Sequence, residues 1–162
     1  MSIKLFLTGG TIDKKYDEIS GKLDFDGSHF DQMLSQSRVR ELLVTQQLFL
    51  VDSLDITDHQ RQEIVVAVTG AAEARILISH GTDTMVQTAQ ALADTKLPNK
   101  TIVLFGAMLP FSVDGSDALF NFGAAVSSVQ LLPTGVYVVM NGRVFDYDKV
   151  TKDLKLGEFR AL

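Results

Sequence analysis

The sequence predicts a single α/β domain, doubly wound around a mostly parallel sheet, with helices on both faces and a β-hairpin at the sheet edge. Three observations carry that prediction. Short runs rich in branched apolar residues recur at 3–7, 48–51, 76–78, 101–105 and 136–140. The segments between them are long enough to hold crossover helices, the rhythm of βαβ units around a buried sheet. Two of the runs end in glycine followed by threonine, the turn that an α/β sheet places at the carboxyl ends of its strands, where open parallel sheets keep their ligands.

The helices follow in chain order from the 3.6-residue period. Residues 58–72 place Ile64, Val65, Val68 and Ala72 on one face after a Thr57 or Asp58 cap. Residues 83–93 repeat the pattern with Met85, Ala89 and Leu92, and 117–131 with Phe120, Ala124 and Leu131. Residues 13–26 differ: they are charged, contain a turn glycine at Gly21, and follow the first threonine motif directly. Both a mobile lid and a plain solvated hairpin fit them. In 143–162 the apolar residues Val144, Phe145, Tyr147 and Val150 indicate the edge hairpin.

Composition narrows the function. The chain has 162 residues, 46% of them apolar and 22% charged, enough for one core and not for two, so 1–162 is expected to form one domain with no second domain behind it. A formal charge of -5 argues against a nucleic-acid partner and leaves small polar ligands. With no cysteine there is no disulfide, no thiolate metal site and no thiol nucleophile, so covalent chemistry falls to an oxygen or a lysine. No apolar run reaches the roughly 18 residues of a membrane span, and the first seven residues run into a strand rather than a signal peptide. A cytoplasmic protein that touches no membrane is expected.

The first motif is Leu7-Thr8-Gly9-Gly10-Thr11-Ile12 and the second His80-Gly81-Thr82-Asp83-Thr84-Met85. Glycines before a threonine permit a sharp turn and bring N–H groups close to a bound oxyanion. The threonine itself can be a nucleophile, an anion donor or a helix cap. Asp83 can hold a ligand cation or stabilise the following helix, and His80, which precedes the turn glycine, is read as structural rather than catalytic. A threonine nucleophile needs a group to take its proton, and Lys152 in Val150-Thr151-Lys152 is the candidate beside the reading of a solvated edge lysine.

Together with Asp52-Ser53-Leu54-Asp55, Gly106-Ala107-Met108-Leu109-Pro110 and Val150-Thr151-Lys152, the two motifs resemble, in order, those of the bacterial-type L-asparaginases, threonine amidohydrolases related to glutaminase-asparaginases. The resemblance spans nearly the whole chain and covers the family's larger amino-terminal domain. It implies hydrolysis of L-asparagine to L-aspartate and ammonia through an acyl-enzyme, without metal or organic cofactor. Thr11 would be the nucleophile. Thr82, Asp83 and Lys152 would form a second triad that moves protons. Ser53 matches the α-carboxylate position, Asp83 the α-ammonium position and Ala107 the carbonyl beside the leaving amide, while Gly10, Gly81 and Thr82 lie where backbone groups meet the substrate. Tyr16 stands in the segment where the family keeps an assisting tyrosine.

Leu54 departs from the glutamine of many dual-specificity members, since its side chain cannot hydrogen-bond. In the family the second domain of a neighbouring subunit supplies an acidic contact to the substrate ammonium; either another surface of a homodimer or homotetramer replaces it here, or amino-group recognition is weaker than in the family. The rival readings are a non-catalytic asparagine or aspartate sensor, an amidase for another small amide such as glutamine, and the ammonia-generating partner in transfer-RNA amidation.

Overall fold

The structure, a computed structural model, describes residues 2–162. Its strands are β1 (Ile3–Gly9), β2 (Lys14–Asp17), β3 (Lys22–Phe25), β4 (Leu43–Val51), β5 (Arg75–Ser79), β6 (Thr101–Phe105), β7 (Gly135–Met140), β8 (Arg143–Asp146), β9 (Val150–Asp153) and β10 (Glu158–Ala161). The helices are α1 (Phe30–Ser37), α2 (Asp58–Gly70), α3 (Met85–Asp94) and α4 (Ala118–Leu131), with 3₁₀ turns at Thr11–Asp13 and Ser53–Asp55.

Six strands form the central sheet in the order β4-β1-β5-β6-β7-β8. The first five are parallel and β8 closes the edge antiparallel to β7. β1 therefore sends its chain to β4 on one side while β5 flanks it on the other. The crevice where connections diverge in this way is where open α/β sheets bind ligands, and here it lies between the ends of β1 and β5.

Strand alternation splits the apolar residues between two cores. Leu5, Leu7, Leu77, Val103, Phe105, Tyr137 and Val139 face α1 and α4. Phe6, Ile76, Ile78, Ile102, Leu104, Val138 and Met140 face α2 and α3. The near-continuous apolar strands in the sequence are the signature of a sheet buried on both faces. In the first core Phe122 sits edge-on to Phe30, with centroids 5.7 Å apart, and at the same separation from Phe105.

Caps and turns fix the rest. Thr57 opens α2 with a capping box, its hydroxyl accepting from Gln60 N while the Gln60 side chain accepts from Thr57 N. β7 turns into β8 through Asn141-Gly142, with φ of 54° and 74°, the positive pair that matches hairpin twist.

Three features depart from the sequence reading. The tail forms two pairs instead of one: β8 joins the main sheet, while β9 and β10 make a separate hairpin. In α4 the buried face is Ala118, Phe122, Ala125, Val126 and Val129, and Phe120 and Leu131 are exposed, because a helix apolar on nearly every side offers no unique stripe. Helix α1, buried through Phe30 and Met33, lies in a mixed stretch that the sequence pattern left unassigned.

Phe122→Ala removes the ring shared by Phe30 and Phe105 and should lower the unfolding free energy by about 3–5 kcal/mol. Urea denaturation measures this, and the far-UV spectrum should keep its native shape.

Candidate active site

The ends of β1, β4 and β5 meet at close range, glycine backbone against backbone and against the short Ser53 side chain. Gly9-Gly10 turns the chain out of β1, and Gly10 N–H donates to Val51 O of β4 at 3.0 Å. Gly10 has φ 80° and ψ 179°, a region open in practice only to glycine. A Cβ on Gly10 would collide with the Gly81 backbone, and one on Gly81 would come within 2.5 Å of Ser53 Cβ. Gly10, Gly81 and Ser53 therefore stack in direct contact, and the residues beside the two glycines, Thr11 and Thr82, flank one crevice.

The helix-cap reading of the two threonines does not hold. Thr11 lies inside a 3₁₀ turn whose cap position is Gly10. Its half-buried hydroxyl makes no hydrogen bond within the described residues. Thr82 precedes α3, which starts after Thr84, and Thr84 Oγ1 donates to Ser53 O at 2.7 Å instead of capping the helix.

Lys152 arrives from β9 at the second of these turns. Its Nζ donates to Thr82 Oγ1 at 2.7 Å and to Asp83 Oδ1 at 2.6 Å. The lysine side chain is 12% exposed and the aspartate 33%, so the pair is largely withdrawn from water with Asp83 facing outward. Ser53 is buried, and its Oγ accepts from Asp83 N at 3.2 Å, which leaves the hydroxyl hydrogen free for a ligand. An open groove of about 540 Å³ runs past Asp83, Lys152, Val86, Gln87, Val150 and Leu154.

Ala107 follows β6 and is buried. Two residues that the sequence reading passed over hold this loop. Asp117 accepts from Met108 N and Leu109 N, each at 3.0 Å, and from Asn121 Nδ2 at 2.8 Å. The other Asn121 contacts are to Gly106 O and from Asn141 N, so one amide ties the ends of β6 and β7. The signal in the sequence was the i, i+4 pairing of a carboxylate and an amide at the start of a mostly apolar helix.

Two predicted residues stand apart from this cluster. Leu54 is 72% exposed, and only its N–H is engaged, by Asp52 Oδ1. Tyr16 is 58% exposed on β2 and lines a groove with Lys15, Glu18, Ile19 and Asp24 of its own hairpin, away from both threonines. What the hairpin does contribute is its base. Lys14 pairs with Asp52, which caps the Ser53 turn, and Asp13 accepts from Ser28 Oγ and His29 N on the far side of the hairpin.

Electrostatics follow from burial. Burial raises the Asp13 carboxyl above the ordinary range, against its hydrogen bonds to His29 and Ser28. Burial also pushes Asp52 upward, but the Lys14 and Leu54 hydrogen bonds and the charges of Lys14 and Lys152 outweigh it and leave the carboxyl low. His80 is fully buried, and desolvation lowers its pKa to about 4 despite the hydrogen bond to Gly81 O. Among the described residues no group of three or more His, Cys, Asp or Glu side chains could hold a metal ion, and no helix is long and apolar enough to cross a membrane.

The neutral state of His80 makes stability depend on pH. Between pH 6.5 and about 4 the unfolded histidine binds a proton that the folded one refuses, so stability falls as pH drops through that window and levels off below it. The expected loss is about 3 kcal/mol. Urea titrations from pH 7 to 4 should show it, and His80→Asn should remove that part of the slope; Asp13, whose raised pKa contributes with the opposite sign, is common to both proteins and cancels in the difference.

Comparison with known proteins agrees with this architecture. The sequence model of the family described as "Asparaginase, N-terminal" matches residues 2–155. The solved L-asparaginase of Thermococcus kodakarensis superposes with a TM-score of 0.85 at 29% identity, covering 100% of this chain and 51% of that one. L-asparaginase 2 of Escherichia coli is 42% identical over 79 residues, 47% of this chain and 23% of the relative. One polypeptide of the glutamyl-tRNA(Gln) amidotransferase of Aeropyrum pernix is 31% identical over 147 residues, 85% of this chain and 34% of the relative. The chain thus spans about half the length of these relatives or less. With the family model matching nearly its whole length and the β1–β5 crevice carrying both glycine-threonine turns, this chain belongs to the asparaginase amino-terminal family.

Proposed function

We propose that residues 1–162 form a catalytic domain that hydrolyses L-asparagine to L-aspartate and ammonia with Thr11 as nucleophile. The observation that carries the reading is the Lys152 ammonium, which bridges Thr82 Oγ1 and Asp83 Oδ1 across some 70 residues of sequence, next to the turn that presents the unengaged Thr11 hydroxyl. Family membership supports amide hydrolysis in general. Thr11 Oγ would attack the side-chain amide carbon, and its proton would pass through Thr82 and Lys152 to the departing amine. Water would then cleave the acyl-enzyme by the reverse proton path. The Thr11 and Thr82 N–H groups find no backbone acceptor among the described residues and are available to the oxyanion.

Recognition would use Ser53 for the substrate carboxylate, through its free hydroxyl hydrogen, and Asp83 for the substrate ammonium, through the oxygen that Lys152 leaves open. Gly10 and Gly81 would let the substrate lie against bare backbone, and Ala107 would offer its carbonyl to the leaving amide. Tyr16 would join the site only if its hairpin folded inward. A second copy of the chain, in a homodimer or homotetramer, would wall off the open side next to the exposed Leu154 and Leu156.

A second reading takes glutamine, or another small amide, as substrate. It is favoured by the amidotransferase relative whose similarity runs over most of the chain.

Ammonia release from millimolar asparagine and glutamine tests both. Release from asparagine that Thr11→Ala abolishes is expected, and no release above that control would sink the enzyme reading, leaving the ligand-binding one. Lys152→Arg keeps a cation beside Asp83 but cannot give up a proton, so kcat should fall by about 10²–10⁴ with aspartate binding retained.

A further inference from the structure

His80 is a buried polar side chain for which the reaction outlined above has no use. It is fully buried, and both ring nitrogens are engaged: Nδ1 with Gly81 O at 2.8 Å and Nε2 with Thr88 Oγ1 at 2.8 Å. The partners decide the tautomer. A carbonyl can only accept, so Nδ1 carries the hydrogen and Nε2 accepts from the Thr88 hydroxyl. The Thr88 oxygen in turn accepts from Arg61 Nε at 3.3 Å, and every donor in the chain has a place. His80 N–H donates to Phe105 O at 2.8 Å, which pins the residue to β6.

The carbonyl that His80 holds belongs to the peptide joining Gly81 to Thr82. That peptide is trans and planar, so its C=O and N–H point in opposite directions. Glycine at 81 offers no side chain to set the plane, and its neighbour across the crevice is another glycine, Gly10. The carbonyl is drawn back toward the buried imidazole, so the Thr82 N–H is aimed away from it and has no backbone acceptor among the described residues.

We propose that His80 is a positioning residue for the Thr82 amide: by donating from Nδ1 to the Gly81 carbonyl it locks the Gly81–Thr82 peptide plane and aims the Thr82 N–H at the carbonyl oxygen of the scissile amide. The proposal rests on the amidohydrolase reading above and adds a group behind the peptide that never touches substrate. Neutrality is part of the device. An imidazolium would place hydrogens on both nitrogens and reverse the Thr88 contact, leaving the Thr88 hydrogen without the imidazole as acceptor, and burial, which lowers the pKa to about 4, keeps the ring neutral. It explains why an imidazole occupies a place where an apolar side chain would bury without a desolvation cost.

Three variants of the full chain separate positioning from packing. Asparagine places an amide nitrogen near Nδ1 and can still donate to Gly81 O. Glutamine reaches toward Nε2 and Thr88 but leaves the carbonyl free, and leucine does neither. His80→Gln and His80→Leu should each lower kcat about 10- to 100-fold, below the loss from deleting an oxyanion donor, with KM changed less than about threefold. His80→Asn should recover kcat to within about threefold of the parent. Should leucine fail to fold, the Asn and Gln pair decides. Equal kcat in those two, or parental kcat in His80→Leu, overturns the proposal.

The Thr82 amide resonance, followed during aspartate titration, judges His80 without turnover. A shift in the parent and His80→Asn that is lost in His80→Gln supports positioning, even if the parent releases no ammonia and the asparaginase reading falls. Equal shifts in both variants, or none in the parent, overturn it.

Discussion

The contact of Gly10 with Gly81 is the constraint on which the site depends. Two strand ends, β1 and β5, approach until their backbones touch, and only residues without a Cβ allow it. Ser53, at the end of β4, packs on the second glycine from the other side. The three turns are thereby locked in register by sterics, with no need of long side chains that would cost rotamer entropy to hold. The sheet order makes the contact possible, since β1 lies between β4 and β5 and the connections diverge there.

Around that rigid contact the charges alternate. Lys14 pairs with Asp52 below the Ser53 turn, and Lys152 pairs with Asp83 above it. The charge of Lys152 also helps to lower the Asp52 carboxyl, so the two pairs feel each other across the crevice. Such an arrangement compensates its own buried charge. It still leaves one hydroxyl, Thr11, and one carboxylate oxygen, on Asp83, unengaged at the crevice.

Much of this was legible along the chain. Branched apolar runs identified β1, β5, β6 and β7, because a sheet buried on both faces tolerates little else; of the edge strand β4 only 48–51 was legible, since Thr45, Gln46 and Gln47 are polar and exposed. The Thr57 cap and the two glycine-threonine turns stood out because only a few residue types satisfy those backbone geometries. Helix α4 was less legible: its apolar residues occupy nearly every side, and Phe120 and Leu131 proved exposed while Phe122 and Val129 are buried. Helix α1 was missed because it is only eight residues long, and its apolar positions, Phe30, Met33 and Leu34, are too few to set it apart from the loops on either side. His80 was read as a hydrogen-bonded structural residue and the fold does bury it, but its partners Thr88 and Arg61 come from two helices that no spacing connects.

Sequence by itself determined the layers, the glycines at the two turns and the chemical identity of the side chains that could act there, since each depends on local backbone freedom or on a short period. Tertiary structure alone decided which of them meet. Lys152 lies on a two-stranded hairpin outside the main sheet, and nothing near it in sequence distinguishes it from a solvated lysine; the fold carries it to Thr82 and Asp83 and leaves Tyr16 and Leu54 in solvent. The reason is geometric: a hydrogen bond of under 3 Å between residues some 70 apart depends on how β5, α3 and β9 pack, and no residue's own propensity encodes that distance.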